Sequence, residues 1–99
     1  MNRVREIVEA NWAHNMKIFG KGIGVASVDT GASEHIDLVG SKNRIMGFRD
    51  IINGREKIYD DNGHGTHVAG IIGGAGTASR GFYMGIAPKA HIISVKVLK

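Results

Sequence analysis

The stretch that decides the fold runs DNGHGTHVAGIIGG, from Asp61 to Gly74. Small and apolar residues follow its first histidine, and they predict a helix over about residues 64–74 that packs closely against a sheet. His64 falls in the first turn, where the partial positive charge of the helix end favours a neutral imidazole that can act as a base. For an arbitrary histidine, however, a hydrogen-bonded core or cap role is the commoner one.

The composition bounds the class of protein. Of the 99 residues, 42% are hydrophobic and 22% are charged, which is ordinary for one globular domain. No apolar run approaches the roughly 18 residues that span a bilayer, so we predict no membrane insertion. The net charge of +4 is scattered along the chain, which disfavours nucleic-acid binding. The absence of cysteine excludes disulfides and thiol catalysis.

Hydrophobic periodicity predicts helices and strands in alternation. Apolar residues spaced i, i+3, i+4 and i+8 predict one amphipathic helix over about residues 3–14, with Trp12 on its packed face and Arg5 in water. Apolar or β-branched runs predict strands over residues 23–28, 44–52 and 91–98, and one ordered turn is expected at residues 35–38. This order implies α/β layering around a parallel sheet.

A carboxylate and an imidazole are expected at one edge of that sheet. Asp29 ends the first predicted strand and His64 opens the helix, and reactive groups of open α/β sheets gather at the carboxyl ends of strands. An aspartate that accepts the Nδ1 proton of a histidine fixes the tautomer and stabilises the imidazolium formed when Nε2 takes a proton from a nucleophile. Separation along the chain leaves open whether the two side chains meet.

Two blocks carry a resemblance to a known family. The blocks ASVDTG (residues 26–31) and NGHGTHVAG (residues 62–70) closely resemble the signature blocks of subtilisin-like serine proteases, and residues 85–88 and 94–98 are similar to the family's following segment. The resemblance covers about residues 17–99. It implies a three-layer α/β sandwich with a mainly parallel sheet, and endoproteolysis of peptide or protein substrates through an acyl-enzyme.

The resemblance also assigns roles to three residues. Asp29 matches the triad aspartate and His64 matches the general base. His67 matches a helix position outside the triad, and we expect it to be structural, held by a buried hydrogen bond. No cofactor is certain on this basis.

The resemblance further implies that the chain is the N-terminal portion of one peptidase domain, truncated after an early core strand. Residues 1–16 would form a leading helix, and residues 17–99 would carry the aspartate and histidine blocks. The family's nucleophile block and oxyanion asparagine are missing, because none of the serines has that context: Ser27, Ser33, Ser41, Ser79 and Ser94. Since removal of a triad nucleophile costs many powers of ten in rate, we predict that this chain alone is inactive.

The sequence also bears on the location of the protein and on calcium binding. The first residues lack the apolar core of a signal peptide, so we predict a cytoplasmic protein, or a secreted one whose N-terminus was trimmed. Asp37 lies in a segment similar to one that often binds calcium in the family, yet a cap or turn role explains it equally well. Asp60 and Asp61 are ambiguous in the same way. Calcium therefore stays open for the full-length protein.

Other functions are compatible with parts of the sequence. Residues 29–31 also form the aspartic-protease triplet, which would require a homodimeric, almost all-β fold and would leave the histidine block unexplained. A catalytically dead protease-like scaffold differs from the enzyme only beyond Lys99. A zinc site built on His64 and His67 with His35 or His91 has neither a glutamate at metalloprotease spacing nor a cysteine. The glycine loops lie on the wrong side of their elements for a phosphate site.

Overall fold

The computed structural model describes residues 2–40, 43–77 and 84–99. This part of the chain confirms the predicted α/β class with a parallel sheet. Its elements follow in the order α1 (Asn2–Ile7), α2 (Ala10–Asn15), β1 (Gly24–Asp29), α3 (Ile36–Val39), β2 (Ile45–Asp50), α4 (His64–Gly73) and β3 (His91–Lys96). In these described ranges no helix is long and apolar enough to cross a membrane.

The sheet places its strands in the order β1-β3-β2, and both strand pairs are parallel. Asp29 at the end of β1 and Asp50 at the end of β2 are both in register with Lys96 of the central strand. All three strands therefore end at the same edge. Helix α4 also begins at this edge, because Gly65 of its first turn approaches the Gly31 backbone just after β1. Polar groups of the protein can therefore gather there.

Helix α4 lies unusually close to the segment after β1. A methyl group added at Gly65 would come 2.1 Å from the carbonyl oxygen of Gly31, so only hydrogen fits there. Farther along the helix, Ala69 packs with Leu38 and Ile92 in the buried apolar cluster. The small residues of the histidine stretch thus bring the first turn of α4 into backbone contact with the end of β1.

Two glycines of α4 are expected to respond oppositely to alanine. Gly65→Ala should lower the free energy of unfolding by about 2 kcal/mol or more, because overpacking against the Gly31 backbone forces the helix away. Gly70→Ala should raise it by about 0.5–1 kcal/mol, because alanine is the better helix former and the added methyl meets no described heavy atom within 4 Å. Thermal unfolding of both variants checks this; equal midpoints would contradict the close approach.

The N-terminal helix differs from its prediction. Residues 3–14 form two short helices instead of one, since Glu9 between them adopts a left-handed backbone with φ of 60°. Trp12 is 67% exposed, while Arg5 is buried and its Nη1 donates to the carbonyl oxygen of Met84 at 2.5 Å. The predicted packed face was wrong, because periodicity identifies an apolar side but not the surface available to cover it.

Candidate active site

The side chains of Asp29 and His64 meet at the carboxyl edge of the sheet. His64 Nδ1 lies 2.8 Å from Asp29 Oδ1 and 3.0 Å from Oδ2. An ionised carboxylate can only accept, so Nδ1 carries the proton, and in the neutral ring Nε2 is the basic nitrogen. The expected juxtaposition of carboxylate and imidazole is therefore present.

The pair combines a covered anion with an accessible base. The side chain of Asp29 is 13% exposed, whereas that of His64 is 64% exposed. The hydrogen bond from His64 is the largest influence on Asp29 and lowers the pKa of its carboxyl group, with a further contribution from the backbone N–H of Thr30 at 2.7 Å; burial acts in the opposite direction. Asp29 thus stays ionised at neutral pH beneath an imidazole that a reagent can reach.

Asp60 is the hydrogen-bonding centre of the loop that leads into α4. Its Oδ1 accepts from Thr30 Oγ1 at 2.9 Å and from the backbone N–H groups of Asn62 at 3.1 Å and Gly63 at 2.9 Å. Its Oδ2 accepts from the backbone N–H and hydroxyl of Thr66, at 2.8 and 2.6 Å. Burial raises the pKa of Asp60, but these hydrogen bonds outweigh it and hold the pKa well below its usual range.

Lys96 is a fully buried cation beside the pair. Its Nζ donates to the carbonyl oxygens of Thr30 at 2.7 Å and Leu98 at 2.9 Å, and to Asp61 Oδ1 at 2.9 Å. Burial lowers the pKa of Lys96, but the hydrogen bond and charge of Asp61 more than offset this and raise it. Lys96 therefore ties the central strand to the segment after Asp29 and to the loop before His64.

The other strand-end aspartate serves a different purpose. The Asp50 carboxylate accepts the backbone N–H groups of Ile52 and Asn53, both at 2.9 Å, and the Tyr59 hydroxyl. It is buried and organises its own loop. Asp29 and Asp50 occupy equivalent register positions, so position at a strand end cannot by itself distinguish the aspartate that holds an imidazole from one that holds a turn.

Several other predicted residues lie away from the pair. His67 is exposed, so the expected buried hydrogen bond is wrong. Ser27 and Ser94 are buried opposite each other within β1 and β3, and Ser33 contacts Thr66 through its hydroxyl at 3.4 Å. Ser41 and Ser79 fall outside the described residues.

The residues considered for a metal site do not form one cluster in the described ranges. The carbonyl oxygen of Asp37 accepts from Arg44 Nη2 at 2.7 Å and from the backbone N–H of Ala75 at 2.8 Å. Across residues 2–40, 43–77 and 84–99, no group of three or more His, Cys, Asp or Glu is arranged to hold a metal ion. The all-β aspartic-protease alternative is wrong, because the triplet at residues 29–31 begins with the last residue of a parallel strand and contacts α4.

Comparison with known proteins points to one family. A sequence profile of the subtilase family matches residues 20–99. Serine protease AprX of Bacillus subtilis (strain 168) is 54% identical over 79 residues, which cover 80% of this chain and 17% of the relative. The major intracellular serine protease of the same strain is 49% identical over 92 residues, covering 88% and 27% respectively. Subtilisin Savinase of Lederbergia lenta is 42% identical over 91 residues, covering 92% and 31%. The chain spans less than a third of the length of these relatives.

Proposed function

The chain belongs to the subtilase family, and from this premise we propose that it supplies the aspartate and histidine of the Asp-His-Ser triad of a serine endopeptidase. Asp29 is the orienting carboxylate and His64 is the general base. The observation that carries the proposal is the 2.8 Å contact between His64 Nδ1 and the Asp29 carboxylate. Similarity to relatives named as proteases supports peptide or protein substrates.

The geometry of the pair accounts for the chemistry in two proton transfers. His64 Nε2 first takes the hydroxyl proton of the nucleophilic serine as its oxygen attacks the scissile carbonyl carbon. The Asp29 carboxylate, which accepts from Nδ1, stabilises the imidazolium that results. Nε2 then gives the proton to the departing amine, so the peptide C–N bond breaks and an acyl-enzyme forms. In the second half of the reaction, water takes the place of the serine. His64 Nε2 takes a proton from the water as it attacks the acyl carbon, then returns a proton to the serine oxygen as the acid leaves.

We further propose that the 99 residues are the N-terminal portion of one peptidase domain and are inactive alone. The relatives are more than three times as long as the segment they share with this chain, and the serines here lack the family's nucleophile context. The serine and the oxyanion donor would come from the remainder of the domain. A dead scaffold with the same first 99 residues is the second candidate.

A fluorophosphonate probe separates these proposals. The full-length protein that carries this chain is expected to be labelled at a single serine outside residues 1–99, and heat-denatured protein, as the control, should not be labelled. The isolated chain should give no specific label. Specific labelling of any serine within the 99 residues would contradict the proposal that the chain alone is inactive. A full-length protein without label would favour the catalytically dead scaffold.

The sequence and the relatives also bear on location and cofactors. A cytoplasmic location is favoured by 49% identity to a protease named as intracellular. No cofactor takes part in the steps above, and calcium is left for the full-length protein. No nucleic-acid partner is proposed, since the positive charges are scattered along the sequence.

A further inference from the structure

We propose that Asp60 is a positioning residue for the Asp29–His64 pair, a role that rests on the proposed function. In the described part of the chain, its carboxylate forms hydrogen bonds with Thr30, Asn62, Gly63 and Thr66, and not with the side chain of Asp29 or His64. Its one carboxylate instead bonds to both chain segments that carry them, the turn after β1 and the first turn of α4. A residue that fixes two segments relative to each other fixes the distance between the side chains they bear.

We call the hydrogen bonds of the Asp60 carboxylate to Thr30 and Thr66 the clamp. Its first half is the bond to the Thr30 hydroxyl. Thr30 follows Asp29 directly and is only 4% exposed. Its Oγ1 donates to Asp60 Oδ1 at 2.9 Å and accepts from the backbone N–H of Gly65 at 2.8 Å. Since Gly65 follows His64 directly, one hydroxyl joins the residue after the aspartate to the residue after the histidine, and Asp60 determines the direction of its proton.

The second half holds the beginning of α4. The residue that precedes this helix is Gly63, which has a φ of 98° and no side chain to cap the free N–H groups. Asp60 takes over that function, because it accepts from the backbone N–H groups of Gly63 and Thr66. Its negative charge is also favourable at the positive end of the helix. The Thr66 hydroxyl extends the network, since it accepts from the backbone N–H of Ser33 at 3.0 Å.

The clamp is expected to act on the rate of the chemical step. A displacement of about 1 Å between catalytic groups can cost about 100-fold in rate. Asp60→Asn keeps the size of the side chain but replaces one of its two accepting oxygens with an NH2 group. This group can only donate, and it faces the N–H or O–H groups that donate to Asp60 in the wild type. We expect kcat to fall about 10- to 100-fold with KM changed less than about threefold.

A matched pair at Thr30 tests the clamp without changing a charge. Thr30→Val removes the bridging hydroxyl at nearly constant volume, and Thr30→Ser retains it. In the full-length protein, Thr30→Val should lower kcat about 10-fold or more, and Thr30→Ser should recover most of that loss. All variants are compared well below their thermal unfolding midpoints, so that loss of folded protein does not enter kcat.

Proton NMR of the His64 Nδ1–H provides a readout independent of proteolysis. A proton held between imidazole and carboxylate resonates far downfield and exchanges slowly with water. This resonance should persist in Thr30→Ser and broaden or disappear in Thr30→Val and Asp60→Asn. If it persists unchanged in all three and kcat is unaffected, Asp60 does not position the pair. If the full-length protein has no peptidase activity, the proposed function fails, and the resonance alone still decides the role of Asp60.

Discussion

His64→Ala in the full-length protein is expected to lower kcat by about 10⁶-fold, the scale of loss that removal of the triad histidine has in subtilisin itself. The physical reason is that alanine leaves no base to take the serine proton and no acid to protonate the departing amine. Substrate binding should change little, because the imidazole acts mainly on groups that react. Steady-state kinetics on a chromogenic peptide gives kcat and KM separately.

His67→Ala is the matched control for this prediction. His67 is a second histidine on α4, three positions further along, and is also exposed. It is not bonded to Asp29, so kcat should change less than about threefold. Similar losses for the two variants would show that the helix, and not the Asp29–His64 contact, determines the activity.

Asp29→Asn is expected to lower kcat by about 10⁴-fold, the scale seen when the triad aspartate of a serine protease is replaced by asparagine. The asparagine amide can donate to Nδ1, which favours the tautomer with its proton on Nε2, and that nitrogen then cannot accept the serine proton. The variant also loses the carboxylate that stabilises the imidazolium. KM should stay within a few fold of the wild-type value.

Asp50→Asn is the corresponding control, because Asp50 ends its strand in register with the same residue as Asp29 does. It should affect the thermal midpoint through its loop while kcat changes less than about threefold. A loss of kcat as large as that of Asp29→Asn would contradict the assignment of the orienting carboxylate.

The pH dependence of stability gives Asp29 a second signature. The hydrogen bond from His64 lowers the pKa of Asp29 in the folded protein. A carboxyl group with a depressed folded pKa contributes stability above its unfolded pKa, about 3.9, and loses it as the pH falls through the lower folded value. The stability difference between wild type and Asp29→Asn should therefore shrink as the pH falls below about 4, as urea unfolding at several acidic pH values would show.

Local sequence was sufficient for the elements that carry the site. The apolar run before Asp29 and the small-residue run after His64 predicted each end of β1 and α4 to within one residue. The same stretches carried the family resemblance and named the two residues. For the N-terminal helix, the prediction of the packed face was wrong, because periodicity does not show which surface of the protein will cover an apolar side.

By itself, the sequence determined the parallel α/β class, the strand-end position of Asp29 and the helix-start position of His64. Strand-end position did not distinguish Asp29 from Asp50, which share the same register. The family resemblance assigned Asp29, and only the tertiary structure shows its contact with His64. It also decided the partners of Asp60 and Lys96, whose hydrogen bonds cross from one segment to another. Periodicity reports burial along one segment, whereas a hydrogen bond between distant segments depends on distances that folding alone creates.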